Sequence, residues 1–188
     1  MDAFFNSALL VAIGEIGDKT QLLAIILAAR YRHVWPIILG ILVATIFNHA
    51  AAAWVGQYIG SLKDAVWIQW ALAGLFIIIG LWVLKPDTVD ESEPNRDFGA
   101  FLTTLFMFFL AEIGDKTQLA TVALAAEYKD FIPVLIGTTT GMMLADVPAV
   151  FFGHKILEKI PMKFVRYTAS VLFIGFGIFG IYRLISMS

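Results

Sequence analysis

EIGDKTQL at residues 15–22 recurs letter for letter as EIGDKTQL at 112–119, 97 positions later. Held at that offset without a gap, Tyr31 meets Tyr128, Pro36 meets Pro133, Gly40 meets Gly137 and Gly56 meets Gly153. Farther on, Leu75, Phe76 and Ile77 meet Leu172, Phe173 and Ile174, and Gly80 meets Gly177. Apolar letters coincide by chance in any two hydrophobic stretches. An identical polar-rich octapeptide followed by matched prolines and glycines does not, so the chain is an internal duplication.

The surroundings of the repeat are apolar. Hydrophobic residues make up 60% of the 188 positions and charged residues 15%, against usual shares of about 45–50% and about 25%. Mean hydropathy is +0.83. Most of the chain must avoid water, and a bilayer is the solvent that allows it. This excludes a soluble enzyme and a disordered tail. A net charge of −2 provides no basic footprint for nucleic acid. The sequence holds no cysteine, which removes disulfide frameworks, thiolate metal sites and cysteine nucleophiles.

Six stretches are apolar and long enough to cross a hydrocarbon core as helices, near 4–29, 35–60, 67–84, 99–126, 131–153 and 164–185. The expected fold is an all-α membrane protein with six transmembrane helices. Its units are a first three-span repeat (1–84), an acidic linker (85–97, KPDTVDESEPNRD) and a second three-span repeat (98–188). Three spans is an odd number, so the second copy enters the membrane from the opposite side. The copies then form inverted-topology repeats about a pseudo-two-fold axis in the membrane plane, an architecture suited to alternating access. Trp35, Trp54, Trp67, Trp70 and Trp82 fall near span ends, as an interfacial belt would. Loops after spans 1, 3 and 5 carry Arg30, Arg32, Lys85, Arg96, Lys155, Lys159, Lys163 and Arg166, whereas the other side carries Lys63, Lys129 and Arg183. The positive-inside rule then puts both termini outside the cytoplasm and the acidic linker within it. No cleavable signal peptide is expected, because the first span starts at once and carries charges in its middle.

Seven charged residues fall inside spans and away from their ends: Glu15, Asp18, Lys19, Glu112, Asp115, Lys116 and Asp146. A charge at the bilayer centre costs about 2.5–3.5 kcal/mol on insertion scales, so this set must pair, line a wet cavity or bind an ion. On a continuous helix Glu15, Asp18, Lys19 and Leu22 share one face at i, i+3, i+4 and i+7, with Gln21 beside them. Glu112, Asp115, Lys116, Leu119 and Gln118 repeat the pattern. Inverted symmetry would bring together four carboxylates, two lysines, two glutamines, Thr20 and Thr117. Such oxygen donors suit a hard divalent cation: Mg2+, Ca2+ or Mn2+. Glu15, Asp18, Glu112, Asp115, Gln21 and Gln118 are the candidate ligands. Lys19, Lys116, Thr20, Thr117, Asn48, His49 and Asp146 are the candidate surrounding shell or proton path.

Several of these residues allow two readings. The lysines either form buried ion pairs that hold helices together or take part in the transport cycle. Gly17 and Gly114 either open the helix or allow close packing. Asp146 either extends the ion path or pairs with a lysine, and Pro148 after it would free a carbonyl near Leu144. His49 is either a hydrogen-bonded structural residue or a titrating one. Rival functions are an exporter of small organic cations or amino acids and, with less support, an intramembrane enzyme. No HExxH, Cys–His or Ser–His arrangement favours the enzyme.

The doubled E-x-G-D-[KR]-[ST] motif on a three-plus-three membrane chain resembles the signature of a family of cation/proton exchangers. That family includes Golgi calcium/manganese transporters and bacterial manganese exporters. Both copies here read E-I-G-D-K-T, and the resemblance covers nearly the whole chain. It implies a secondary transporter that moves Mn2+ or Ca2+ in exchange for protons, with motif acids at Glu15, Asp18, Glu112 and Asp115. It implies no cofactor beyond the transported cation and protons. The chain looks like a compact bacterial member, expected in the inner membrane, multi-pass, with lipid and a divalent cation as its partners. A homodimer is left open.

Overall fold

The computed structural model describes residues 1–62, 66–85, 98–153 and 161–187. The linker expected at 85–97 therefore lies outside the described residues except for Lys85, as do Lys63, Arg96, Lys155 and Lys159 of the charge tally. All regular structure among the described residues is helical. The elements are α1 (Asp2–Glu15), α2 (Lys19–Tyr31), α3 (Val34–Ser61), α4 (Val66–Val83), α5 (Ala100–Glu112), α6 (Lys116–Tyr128), α7 (Phe131–Phe152) and α8 (Met162–Met187).

Four of these, α3, α4, α7 and α8, are long and apolar enough to cross a membrane. They match the expected spans 2, 3, 5 and 6. Spans 1 and 4 differ from expectation: each is two short helices joined at the motif. In the first, Ile16 is extended (φ −62°, ψ 116°), Gly17 has φ +81° and Asp18 is extended, before α2 begins at Lys19. In the second, Ile113 is extended (φ −62°, ψ 119°) and Gly114 has φ +74°. A left-handed backbone is accessible to glycine without the Cβ clash that other residues incur. The motif glycine is thus the point where the helix opens. A 14-residue α1 rises about 21 Å, shorter than the roughly 30 Å hydrocarbon core of a bilayer.

The two halves interlock through reciprocal contacts. Helix α1 packs on α7 and α5 on α3, α3 on α6 and α7 on α2, while α4 and α8 pair with each other. Individual contacts repeat when the halves are exchanged. Asn6 donates to the Tyr128 hydroxyl at 2.6 Å, and the Tyr31 hydroxyl donates to Thr103 at 3.1 Å. Residues 6 and 31 each lie 97 positions before 103 and 128. Close approach depends on matched glycines. A Cβ on Gly40 would stand 2.9 Å from the Phe101 carbonyl oxygen, and one on Gly137 would stand 2.6 Å from that of Phe4. Gly80 against α8 and Gly177 against α4 form a second such pair. Small residues at these crossings let backbones touch where lipid offers no hydrophobic drive to pack.

Gly137→Val should lower the thermal midpoint in detergent by the equivalent of about 1–3 kcal/mol, the usual cost of overpacking. Gly175→Ala, at a glycine with no described atom near its Cβ, should leave it unchanged or raise it slightly. Equal midpoints for Gly137→Val and the native chain would refute the close-packing role.

Candidate metal centre

The centre is built by the ends of four half-helices. Helices α1 and α5 finish on Glu15 and Glu112, and both glutamates are fully buried. Helices α2 and α6 start after Asp18 and Asp115, which occupy the N-cap positions without making a side-chain cap hydrogen bond. The break therefore corrects the expectation of one shared helical face. Glu15 and Asp18 belong to different helices, and the same holds for Glu112 and Asp115. What unites them is the convergence of both breaks.

The aspartates reach across the halves. Lys116 Nζ lies 2.6 Å from Asp18 Oδ1, and Lys19 Nζ lies 2.8 Å from Asp115 Oδ1. Each motif thus supplies the other's counter-ion, a swap that differs from a pairing of sequence neighbours within one motif. The pairs are unequal in cover: the Lys116 and Asp18 side chains are 4% and 0% exposed, those of Lys19 and Asp115 27% and 3%.

With the lysines engaged by aspartates, the glutamates keep their oxygens for something else. Thr20 donates to Glu15 Oε2 at 2.6 Å, and Thr117 to Glu112 Oε2 at 3.1 Å. Among the described residues, Glu15 Oε1, Glu112 Oε1 and Asp115 Oδ2 are buried and accept no hydrogen bond. One carboxylate oxygen each from Glu15, Glu112 and Asp115 gather within 4.8 Å of one another. Three oxygens at that separation can share one cation.

The glutamines hold the breaks open. Gln21 Oε1 accepts the Gly17 N–H at 2.8 Å, and Gln118 Oε1 accepts the Gly114 N–H at 2.7 Å. Gln21 also donates to the Ala145 carbonyl at 2.8 Å. This bond falls one residue after Leu144, the acceptor that Pro148 was expected to free, and α7 runs on through Pro148. Asn48 donates to the Phe109 carbonyl at 3.1 Å. That carbonyl lies in the last turn of α5, where the extended Ile113 no longer continues the helix. Hydrogen bonds from Asn48 and Gln21 to a distant backbone could not be read from the sequence, because both follow from the helix break.

Asp146 and His49, at the equivalent position of the two halves, are both fully buried. Among the described residues neither the Asp146 oxygens nor the His49 nitrogens have a hydrogen-bond partner. The lysine partner considered for Asp146 is thus not found, since both motif lysines serve the motif aspartates.

Comparison with known proteins gives the chain its family. Residues 3–91, and again residues 100–188, match the family model described as divalent cation/proton antiporter GDT1. A Vibrio cholerae protein that bears the provisional name of a manganese exporter is 44% identical over 165 residues, covering 87% of this chain and 82% of that one. GDT1-like protein 3 of Oryza sativa is 31% identical over 205 residues, covering 94% of this chain and 72% of its own. A GDT1-like protein of Synechocystis is 29% identical over 203 residues, covering 95% and 96%. No solved structure matches significantly. An all-helical integral membrane protein with these matches is a transporter and not an enzyme. The chain belongs to the GDT1 family of divalent cation/proton antiporters, and that membership supports divalent cation transport.

Removing one member of a buried ion pair strands the other. Lys116→Met should therefore cost about 3–5 kcal/mol of stability, read by unfolding in detergent. Asp18→Asn added to Lys116→Met should recover most of the loss. Lys19→Met should cost less, because Lys19 is partly exposed. A Lys116→Met protein as stable as the native one would show that the swapped pairs do not hold the halves together.

Proposed function

We propose that the protein is a secondary transporter that moves a divalent cation, Mn2+ in the first place and Ca2+ second, in exchange for protons. The observation that carries this reading is the gathering of the Glu15, Glu112 and Asp115 oxygens inside 4.8 Å. The name of the Vibrio cholerae relative supports manganese over calcium. Glu15 and Glu112 are the principal ligands, Asp115 joins them, and Asp18 acts beside Lys116. The Gln21 and Gln118 oxygens, each holding a glycine N–H, retain a second lone pair for the ion. The C-terminal ends of α1 and α5 point carbonyl dipoles at the same place, which favours positive charge.

Exchange follows from competition. A glutamate that carries a proton has lost the charge that holds the cation, so protons and metal occupy the site alternately. Thr20 and Thr117 fix one oxygen of each glutamate and leave the other to take either partner. Asp146, buried without a hydrogen-bond partner close to this charge cluster, is the candidate further step of the proton or ion path. The reciprocal contacts between halves support two inverted three-span repeats, with spans 1 and 4 broken at the motif, that rock against each other in alternating access. The charge distribution supports an inner membrane setting with both termini outside the cytoplasm.

In proteoliposomes with an internal pH dye, Mn2+ added outside should enter and drive protons out of the lumen, toward the side of addition, and Glu15→Gln should abolish that flux while the protein stays folded. Undiminished flux in Glu15→Gln would refute the site. Mn2+ at about 100 times its Kd should also stabilise the native protein by about 2.7 kcal/mol; no metal-dependent shift would count against the oxygen site itself.

A further inference from the structure

The two helix breaks are identical in sequence and unequal in cover. At the first, the Met162 thioether lies against Gly17, so that a Cβ there would meet Sδ at 2.6 Å. Ile16 and Gly17 are half-buried. At the second, Ile113 is 54% exposed and Gly114 is exposed as well. The ion pairs follow the same division, Lys116–Asp18 being enclosed and Lys19–Asp115 partly open. Beneath the first break lies a cavity of about 10 Å³ lined by Gly17, Asp18, Lys85, Lys116 and Arg166 among others, near the lower limit for one water.

The difference has a counterpart in the sequence. Met162 opens α8, and the residue 97 positions before it is Ala65. One half of the duplication thus carries a long thioether at this position and the other a methyl group.

We propose that Met162 is a plug that seals the first motif from the membrane face where α8 begins, so that the ion site communicates with only one side at a time. This rests on the antiport reading above. An unbranched thioether with three rotatable bonds can withdraw without displacing the backbone, which suits a seal that opens once per cycle. Met162 does not ligate the cation. It acts by steric exclusion, and its removal opens an uncoupled route.

The test uses full-length protein in proteoliposomes loaded with Mn2+, following metal release and proton movement together. Native protein and Met162→Leu should release Mn2+ only with counter-moving protons. Met162→Ala and Met162→Cys should release it several-fold faster, with no matching protons. Because the chain has no cysteine of its own, methyl methanethiosulfonate can then rebuild the plug. The thiolate that Met162→Cys introduces attacks the reagent's sulfenyl sulfur and expels methanesulfinate, leaving a CH2–S–S–CH3 side chain of methionine's length. The leak should fall to the native level in the same sample, which a misfolded protein could not do. A Met162→Ala protein as tight as the native one, or a leak that persists after mass-verified modification, would overturn the plug. Native protein that moves no protons in response to Mn2+ would instead overturn the antiport reading.

Discussion

A charge buried among apolar helices needs an opposite charge close by, and each motif aspartate of this protein takes its lysine from the other half of the chain. Asp18 with Lys116 and Asp115 with Lys19 lie 2.6 and 2.8 Å apart. Once these two bonds form, much else follows. Both helix breaks must meet at one level, α1 must lie on α7 and α5 on α3, and glycines must occupy the crossings where backbones touch. The glutamates then stand between the pairs, with no motif lysine left to neutralise them. The stabilising pairs and the unengaged glutamate oxygens thus arise from one arrangement, in which the lysines serve the aspartates and leave one oxygen of each glutamate without a hydrogen bond.

Much of this is legible in the sequence, and the limits have physical causes. The duplication, the all-helical fold and the long spans 2, 3, 5 and 6 follow from periodicity and hydropathy, and the structure has these helices. The break at Gly17 and Gly114 stays open to two readings, because glycine is common in membrane helices and hydropathy averages over a three-residue interruption. With the break unread, the helical-face geometry of Glu15, Asp18 and Lys19 belongs to a helix that does not continue. The swap of counter-ions is equally hidden. Lys19 is adjacent to Asp18 in the chain, and only the two-fold arrangement of the halves brings it to Asp115. Nor does the sequence show Asn48 closing the last turn of α5, since Phe109 loses its helical partner only when Ile113 becomes extended.

Half-helices serve this site in a way continuous ones could not. An intact helix consumes its own carbonyls and amides, whereas an interrupted one presents four unsatisfied groups at each new end. Here the new amides are partly taken up by Gln21 and Gln118, and a carbonyl by Asn48. The helix dipoles of α1 and α5 leave negative potential where the glutamates gather. Gln21, Gln118 and Asn48, which would be costly in an apolar bundle, are thus each occupied at the interruption.

The duplication also left its two halves unlike at a buried position within the bundle, where His49 of one copy is aligned with Asp146 of the other and both are fully buried. Two arrangements related by a true two-fold have equal free energy, so a perfectly symmetric carrier would dwell as long facing one compartment as the other. An imidazole opposite a carboxylate removes that degeneracy. Every 1.4 kcal/mol of difference makes one orientation about tenfold more populated, and a few unmatched side chains suffice for that. Fusing the copies into one chain allowed them to diverge, which a pair of identical half-chains cannot do. Were the halves to alternate as proposed, such divergence would give the carrier a resting orientation, and with it different working affinities on the two sides of the membrane.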